Sequence, residues 1–236
     1  VCRWVAGVQK RCSGAYGSVA RIAGYGLLAF RDPNGIRPLI LGRNETLAGT
    51  EWMAASESVA VDSLGFEVVR DVAPGEAIFV DYAGEFHSRQ CDDNPQLVPC
   101  IFEYVYLARP DSVIDGTSVY EARLNMGAGL GDKIRGIPQA QDIDVVIPIP
   151  DSSRPSALEL ANTLGKTYRD DFVKYRYIDR SLFMSGKALR LKTVSQTLHP
   201  IGMEFKAKIG LTVRGSTRSR ATARAFVPDA GAGGHG

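Results

Sequence analysis

Three stretches of the chain carry residue types that could do chemistry on a phosphate. The first is Asp151-Ser152-Ser153, which follows the apolar run "IDVVIPIP" (143–150) and precedes Pro155. Such a run reads as a strand buried on both faces of a parallel sheet, and open parallel sheets bind ligands at the carboxyl ends of their strands. A helix starting near Pro155, where a first turn tolerates proline, would aim its N–H groups and positive dipole end at that place. The serine hydroxyls could then meet phosphate or magnesium, although Ser153 could instead simply cap the helix. The second stretch is Arg214-Gly215-Ser216-Thr217, behind "KIGLTV" (208–213). It reads as a glycine–hydroxyl turn able to receive a phosphate on backbone N–H groups. No Asp or Glu lies between Glu204 and Asp229, so this turn lacks the acids that would hold a ribose or a metal. The third stretch, "AFRDPNGIRPLILG" (29–42), sets Asp32-Pro33-Asn34-Gly35 as a turn between apolar runs, flanked by Arg31 and Arg37. These arginines could clamp a carboxylate or tie the turn to the neighbouring "ASES" (55–58).

The elements needed to position these residues change character along the chain. In the first third, "YGSVARI" (16–22), "GLLAF" (26–30), "IRPLILG" (36–42), "FEVVR" (66–70) and "EAIFVD" (76–81) read as short strands separated by Gly, Pro and Asn turns, with one helix at "SESVAVDSLG" (56–65). In "EYVYLARPDSVIDG" (103–116), Tyr104 and Tyr106 alternate as on a half-buried strand, and Arg109 and Asp111 could pair across a turn. Ser118 and Glu121 form a capping box, after which Val119, Ala122, Met126, Leu130 and Ile134 share a helical face. "SALELANTL" extends a second helix to Gly165. "DFVKYRY" (171–177) and "KIGLTV" are further strand candidates, so strand, helix and strand predict a doubly wound sheet. A polar boundary with two prolines lies at 88–100, and "DAGAGGHG" reads as an unstructured end.

The composition sets bounds on function. The chain has 236 residues, 44% hydrophobic, with a net charge of +2. That length fits one large domain or two small ones. No run of about 18 apolar residues predicts a membrane span, and no secretory signal opens the chain. Residues 205–224 hold six bases and no acid. Without interleaved aromatics they read as a solvated or disordered end rather than a nucleic-acid surface. Cys2, Cys12, Cys91 and Cys100 form no CxxC pair and lie near no suitably spaced His, which predicts a reduced, cytoplasmic protein.

Four segments, "GLLAFRDPNGIRPLILG", "ASESVAVDSLGFEVVRDVAPGEAI", "CIFEYVYLARPDSVIDGTSVYEARLNMG" and "IDVVIPIPDSSRPSALELA", together resemble the glutamine phosphoribosylpyrophosphate amidotransferases in order and spacing. The resemblance covers roughly residues 12–208. It implies a mixed α/β and α+β chain. Residues 1–90 would be the C-terminal part of an N-terminal-nucleophile glutaminase sandwich. Residues 91–226 would be an incomplete type I phosphoribosyltransferase sheet, and 227–236 a disordered tail. The implied activity is transfer of glutamine-derived ammonia to phosphoribosylpyrophosphate, giving 5-phosphoribosylamine for purine synthesis, in a homo-oligomer. On the same resemblance Asp151, Ser153, Lys174, Arg176, Tyr177, Arg214, Gly215, Ser216 and Thr217 would contact the substrate or another sugar phosphate, and Ser152 would face Mg²⁺.

Departures from the family pattern shape the remaining expectations. Cys2 carries an amide rather than a free amine, so it does not match the glutaminase nucleophile, and no catalytic residue is assigned. The family's paired acids are missing between Val213 and Arg214. Asp179, Ser185, Leu191, Ser195 and Thr197 depart from the closing loop at 174–200. Cys100 stands near a family cluster ligand, but no iron–sulfur cluster is expected, since four thiolates are needed; a thiol buried beside Phe102 and Tyr104 is expected instead. The chain thus reads as a truncated or catalytically defective amidophosphoribosyltransferase, with a non-catalytic phosphate-binding module or an inactive fragment as the alternative. No nucleic-acid or membrane partner is expected.

Overall fold

The structure is a computed structural model of the chain and describes residues 1–47, 49–170, 172–174, 198–200, 209–216 and 220–226. The chain divides into two compact units, Val1–Val119 and Tyr120–Gly236. The polar stretch at 88–100 therefore lies inside the first unit.

The first unit starts with helix α1 (Cys2–Gln9). Strands β1 (Gly17–Ile22), β2 (Gly26–Arg31), β3 (Ile40–Thr46) and β4 (Gly49–Ala55) follow, then helix α2 (Ser58–Ser63), then β5 (Glu67–Asp71), β6 (Glu76–Asp81) and β7 (Phe86–Gln90). Two antiparallel sheets form, in the orders β1-β2-β6-β7 and β4-β3-β5. Strand β2 is covered on both faces, which explains the unbroken apolar run of "GLLAF". Leu28 and Phe30 pack with Val5 of α1 and Ala77. Ala29 faces the other way, with Leu39, Leu41, Val72 and Ile78. Trp52 and Phe86 stack at 4.5 Å beside that second core.

Three elements of this unit leave no sequence pattern. Helix α1 buries only Val5 and Gln9, too narrow a stripe to read. Strand β4 is largely exposed or half-buried, and β7 is exposed over most of its length; both lie at sheet edges, where hydropathy does not alternate strictly.

The half-buried strand expected at Tyr104 and Tyr106 is instead a π-helical turn, Glu103–Leu107, in which Glu103, Tyr104 and Val105 are all buried. Three consecutive buried positions do not fit a strand facing solvent on one side, and the Ala108 N–H donates to the Glu103 carbonyl at 2.9 Å. Two short strands, β8 (Val113–Ile114) and β9 (Thr117–Ser118), close the unit. The all-reduced cysteine expectation also fails: Cys2 and Cys91 form a disulfide with Cα atoms 5.6 Å apart. Their separation of 89 residues hid the pairing from any spacing rule. Cys12 is an exposed free thiol, and Cys100 is half-buried rather than buried.

The second unit contains α3 (Val119–Arg135), β10 (Val145–Pro148), α4 (Arg154–Leu164), β11 (Thr167–Tyr168), β12 (Phe172–Lys174), β13 (Leu198–Pro200), β14 (Gly210–Ser216) and β15 (Arg220–Phe226). Its main sheet has the order β11-β10-β14-β15. Strand β10 is buried throughout and pairs in parallel with both β11 and β14, as its apolar run predicts. Ile134, Val146, Ala157, Leu160, Leu211 and Val213 share its core. Helix α4 begins at the expected proline and ends at Gly165, whose φ of 66° suits a left-handed stop.

Three expectations for this unit need correction. Strand β12 pairs antiparallel with β13, and the parallel neighbour of β10 is the shorter Thr167–Tyr168. The basic stretch is not wholly irregular, because 220–226 form β15, antiparallel to β14. The buried stripe of α3 runs through Val119, Arg123, Gly127, Gly131 and Ile134, with Ala122, Met126 and Leu130 only partly buried. The helix turns glycines inward because α4 approaches closely. A Cβ on Gly127 would collide with the Ser156 carbonyl, and one on Gly131 would sit 2.6 Å from Thr163 Cγ2. The Ser156 hydroxyl also donates to the Arg123 carbonyl at 2.8 Å. Among the described residues no helix is long and apolar enough to cross a membrane.

Candidate functional site

At the carboxyl end of β10 the Ile149 N–H still donates to the Val213 carbonyl of β14, at 2.8 Å. The chain then turns through Asp151, Ser152 and Ser153 into α4, with a cis peptide between Pro150 and Asp151. Ser153 is 2% exposed, yet its hydroxyl does not cap the helix. It donates backwards to the Ile149 carbonyl and so holds the turn closed. The first amides of α4 are thus not capped by Ser153, and their dipole end favours an anion. Asp151 is exposed and Ser152 half-buried.

Two charged residues absent from the sequence-based set complete this turn. The Arg154 guanidinium lies 4.0 Å from Asp151 and 3.7 Å from Asp170. The Tyr168 hydroxyl donates to Asp170 at 3.0 Å. Burial, and after it the bond to Asp170 and that residue's charge, push the Tyr168 phenol well above its usual range, so it stays a proton donor. The sequence signal for Arg154 was its place three residues after Asp151, next to the helix-starting proline. Asp170 had none, because it reaches the turn from beyond α4.

Arg214, Gly215 and Ser216 leave the same end of the sheet, since Pro148 stands opposite Val213 in parallel register. They do not form the expected turn. They continue β14 and pair with Thr222, Ala221 and Arg220 of β15. The strand runs on through Ser216, paired along that edge with β15. Lys174 ends β12, opposite Leu198. Arg176, Tyr177 and Thr217 lie outside the described residues, as do the tail at 227–236 and the closing-loop departures at Asp179, Ser185, Leu191, Ser195 and Thr197.

In the first unit, the Arg31–Arg37 turn does clamp carboxylates, but internal ones. Arg31, 1% exposed, makes two bonds to Asp115 at 2.8 and 2.9 Å and donates to the carbonyls of Gly35, Arg37 and Val72. Arg37 pairs with Glu103 at 2.6 Å. Asp32, fully buried, accepts from the backbone N–H groups of Asn34, Ile36 and Arg37 at 3.0 Å. The Gly35 N–H donates to the Asp32 carbonyl at 3.0 Å. The expected tie to "ASES" is not made by these arginines: Glu57 instead accepts from Arg109 N–H and the Ser112 hydroxyl. Arg109 and Asp111 do pair, at 2.8 Å. This constellation is satisfied from within and positions a turn rather than a ligand.

No family model matches the chain. Among curated proteins, the amidophosphoribosyltransferase of Pseudomonas aeruginosa is 56% identical over 201 residues, which is 85% of this chain and 40% of the relative. That of Escherichia coli is 54% identical over 89% of the chain and 42% of the relative. That of Saccharomyces cerevisiae is 45% identical over 94% and 44%. Among solved structures, the Bacillus subtilis glutamine phosphoribosylpyrophosphate amidotransferase complexed with ADP and GMP superposes with a TM-score of 0.72 at 31% identity, over 89% of this chain and 44% of that one. The chain therefore spans less than half the length of the relatives it matches. Over that span, the chain is similar in sequence and in fold to the amidophosphoribosyltransferases.

Proposed function

We propose that the chain derives from an enzyme that transfers ammonia from glutamine to phosphoribosylpyrophosphate, and that its own surviving activity is weak sugar-phosphate binding by the second unit. Residues 1–90 would represent the glutaminase part and 91–226 the phosphoribosyltransferase part, although residues 91–119 lie within the first unit, where Asp115 and Glu103 pair with Arg31 and Arg37. The observation that carries the reading is the turn Asp151–Arg154 at the carboxyl ends of two parallel strands, in front of an eleven-residue helix. The amides of α4 and Arg154 would meet phosphate charge. The Asp151 carboxylate and Ser152 hydroxyl are hard oxygen donors that suit Mg²⁺, an ion that shares its shell with phosphates and water. When bound, Mg²⁺ would offset the charge of the pyrophosphate. Nothing in "KIGLTVRGS" supplies the acids for the ribose hydroxyls, so affinity should be millimolar, about 4 kcal/mol. A cytoplasmic location and a homo-oligomeric state go with this reading by family.

The test is calorimetric titration of the purified chain with phosphoribosylpyrophosphate and Mg²⁺, beside an Arg154→Ala variant. Millimolar binding that Arg154→Ala weakens supports the site, and formation of 5-phosphoribosylamine from added ammonia would show that catalysis survives. Binding unaffected by Arg154→Ala would place the ligand elsewhere. No binding at all would leave the inactive fragment as the better reading.

A further inference from the structure

We infer that Cys2 and Cys91 form a reversible thiol–disulfide clamp that fastens helix α1 to the sheet of the first unit. The inference is independent of the sugar-phosphate reading. The Cα atoms stand 5.6 Å apart, inside the range that a disulfide spans without moving the backbone. Both residues are half-buried, so small thiols can reach them, and accessible disulfides are the ones that exchange.

The clamp sits at a junction. Apart from the sulfur link, α1 is held by Val5 in the core and by Gln9, whose Nε2 donates to the carbonyls of Arg31 and Gly75 at 3.3 and 3.1 Å. The Cys91 N–H donates to that same Gly75 carbonyl at 3.1 Å, and the Gly75 N–H donates to the Asp32 carbonyl at 3.0 Å. The two ends of α1 are therefore fixed to one knot, made of the end of β7 and the Asp32 turn. Opening the sulfur link leaves only Val5 and Gln9 among the contacts described to hold the helix.

Closure joins the two sulfurs, releases both thiol protons and passes two electrons to a disulfide oxidant such as glutathione disulfide, which leaves as two thiols. A dithiol reductant reverses the step. The link spans 89 residues, and a loop of that length removes much of the freedom of the unfolded chain.

The experiment compares the full chain equilibrated with glutathione disulfide against the same chain held in dithiothreitol. Peptide mapping of the oxidised form is expected to join Cys2 to Cys91. The oxidised form should melt about 5 °C or more above the reduced one, and the amides of Cys2–Gln9 should exchange more slowly. Cys2→Ser and Cys91→Ser should each remove both differences, whereas the double change Cys12→Ser with Cys100→Ser should keep them. A bond formed instead to Cys12 or Cys100 overturns the inference. So does wild-type protein whose melting and α1 exchange are the same in both redox states, a comparison that needs no variant to fold.

Discussion

Asp115 sits at φ 47°, in the left-handed region, and its carboxylate faces the buried fork of Arg31. Asparagine tolerates that backbone at least as well as aspartate, so Asp115→Asn removes charge without adding backbone strain. Arg31 would then be a buried cation hydrogen-bonded only to neutral groups, the carbonyls of Gly35, Arg37 and Val72 and the new amide. The expected loss is about 3 kcal/mol, measured by urea unfolding. Glu76 offers a titration instead. Its carboxyl is buried, which opposes ionisation, but bonds from Arg70, Ser88 and the Ala73 N–H outweigh burial and hold it below the usual range. A carboxylate with a lowered folded pKa stabilises fully above its unfolded value, and that contribution fades as pH falls through the folded one. Glu76→Gln should therefore cost about 2 kcal/mol at neutral pH and much less at acid pH, so the two melting-versus-pH curves should converge as pH drops. Convergence on the alkaline side would contradict this account of Glu76.

At the scale of elements, α3 and α4 pack through glycines. Gly127→Ala gains about 1 kcal/mol of helix propensity but forces a methyl against the Ser156 carbonyl, at a cost of about 1–3 kcal/mol. Nothing lies within 4 Å of a Cβ at Gly129, so there the propensity gain stands alone. Thermal melts should show Gly127→Ala lower and Gly129→Ala higher than the parent; the same direction for both would mean the helices are not in the contact described. These glycines also mark the limit of hydropathy. A buried face made of glycine carries no apolar side chain, so the pattern settled on Ala122, Met126 and Leu130. Strand β10 and helix α4 were legible for the opposite reason: one is an unbroken apolar run, and the other is bracketed by Pro155 and Gly165. The site followed the same division. Asp151–Ser153 could be placed from the end of the run alone, while Arg154 and Asp170 meet only once α4 has folded back. The hairpin of β14 and β15 was missed because the resemblance suggested a phosphate turn where this chain has lost the acids that make one.

On the scale of the whole molecule, two compact units share a chain that matches less than half of each relative. Their sheets, antiparallel in the first unit and mixed with a parallel centre in the second, were readable in outline because the apolar runs change in length and spacing along the chain, whereas the division at Val119 was not. Nor was the disulfide, since only folding brings α1 to the end of β7. The Asp32 turn, described above as a positioning device, also bears on how the molecule ages. Asn-Gly is the dipeptide most prone to spontaneous deamidation, in which the glycine nitrogen attacks the asparagine side-chain amide. At Asn34–Gly35 that nitrogen donates its hydrogen to the Asp32 carbonyl, while Arg31 holds the Gly35 carbonyl at 2.8 Å. The peptide cannot rotate into the cyclising geometry without releasing both. Although Asn34 is exposed, its conversion to aspartate or isoaspartate should be slow in folded protein and fast in urea, as read by mass spectrometry over weeks of storage. Equal rates in both would show that the turn gives no protection. Under the expected outcome, the fraction deamidated at Asn34 records how long the first unit has spent open.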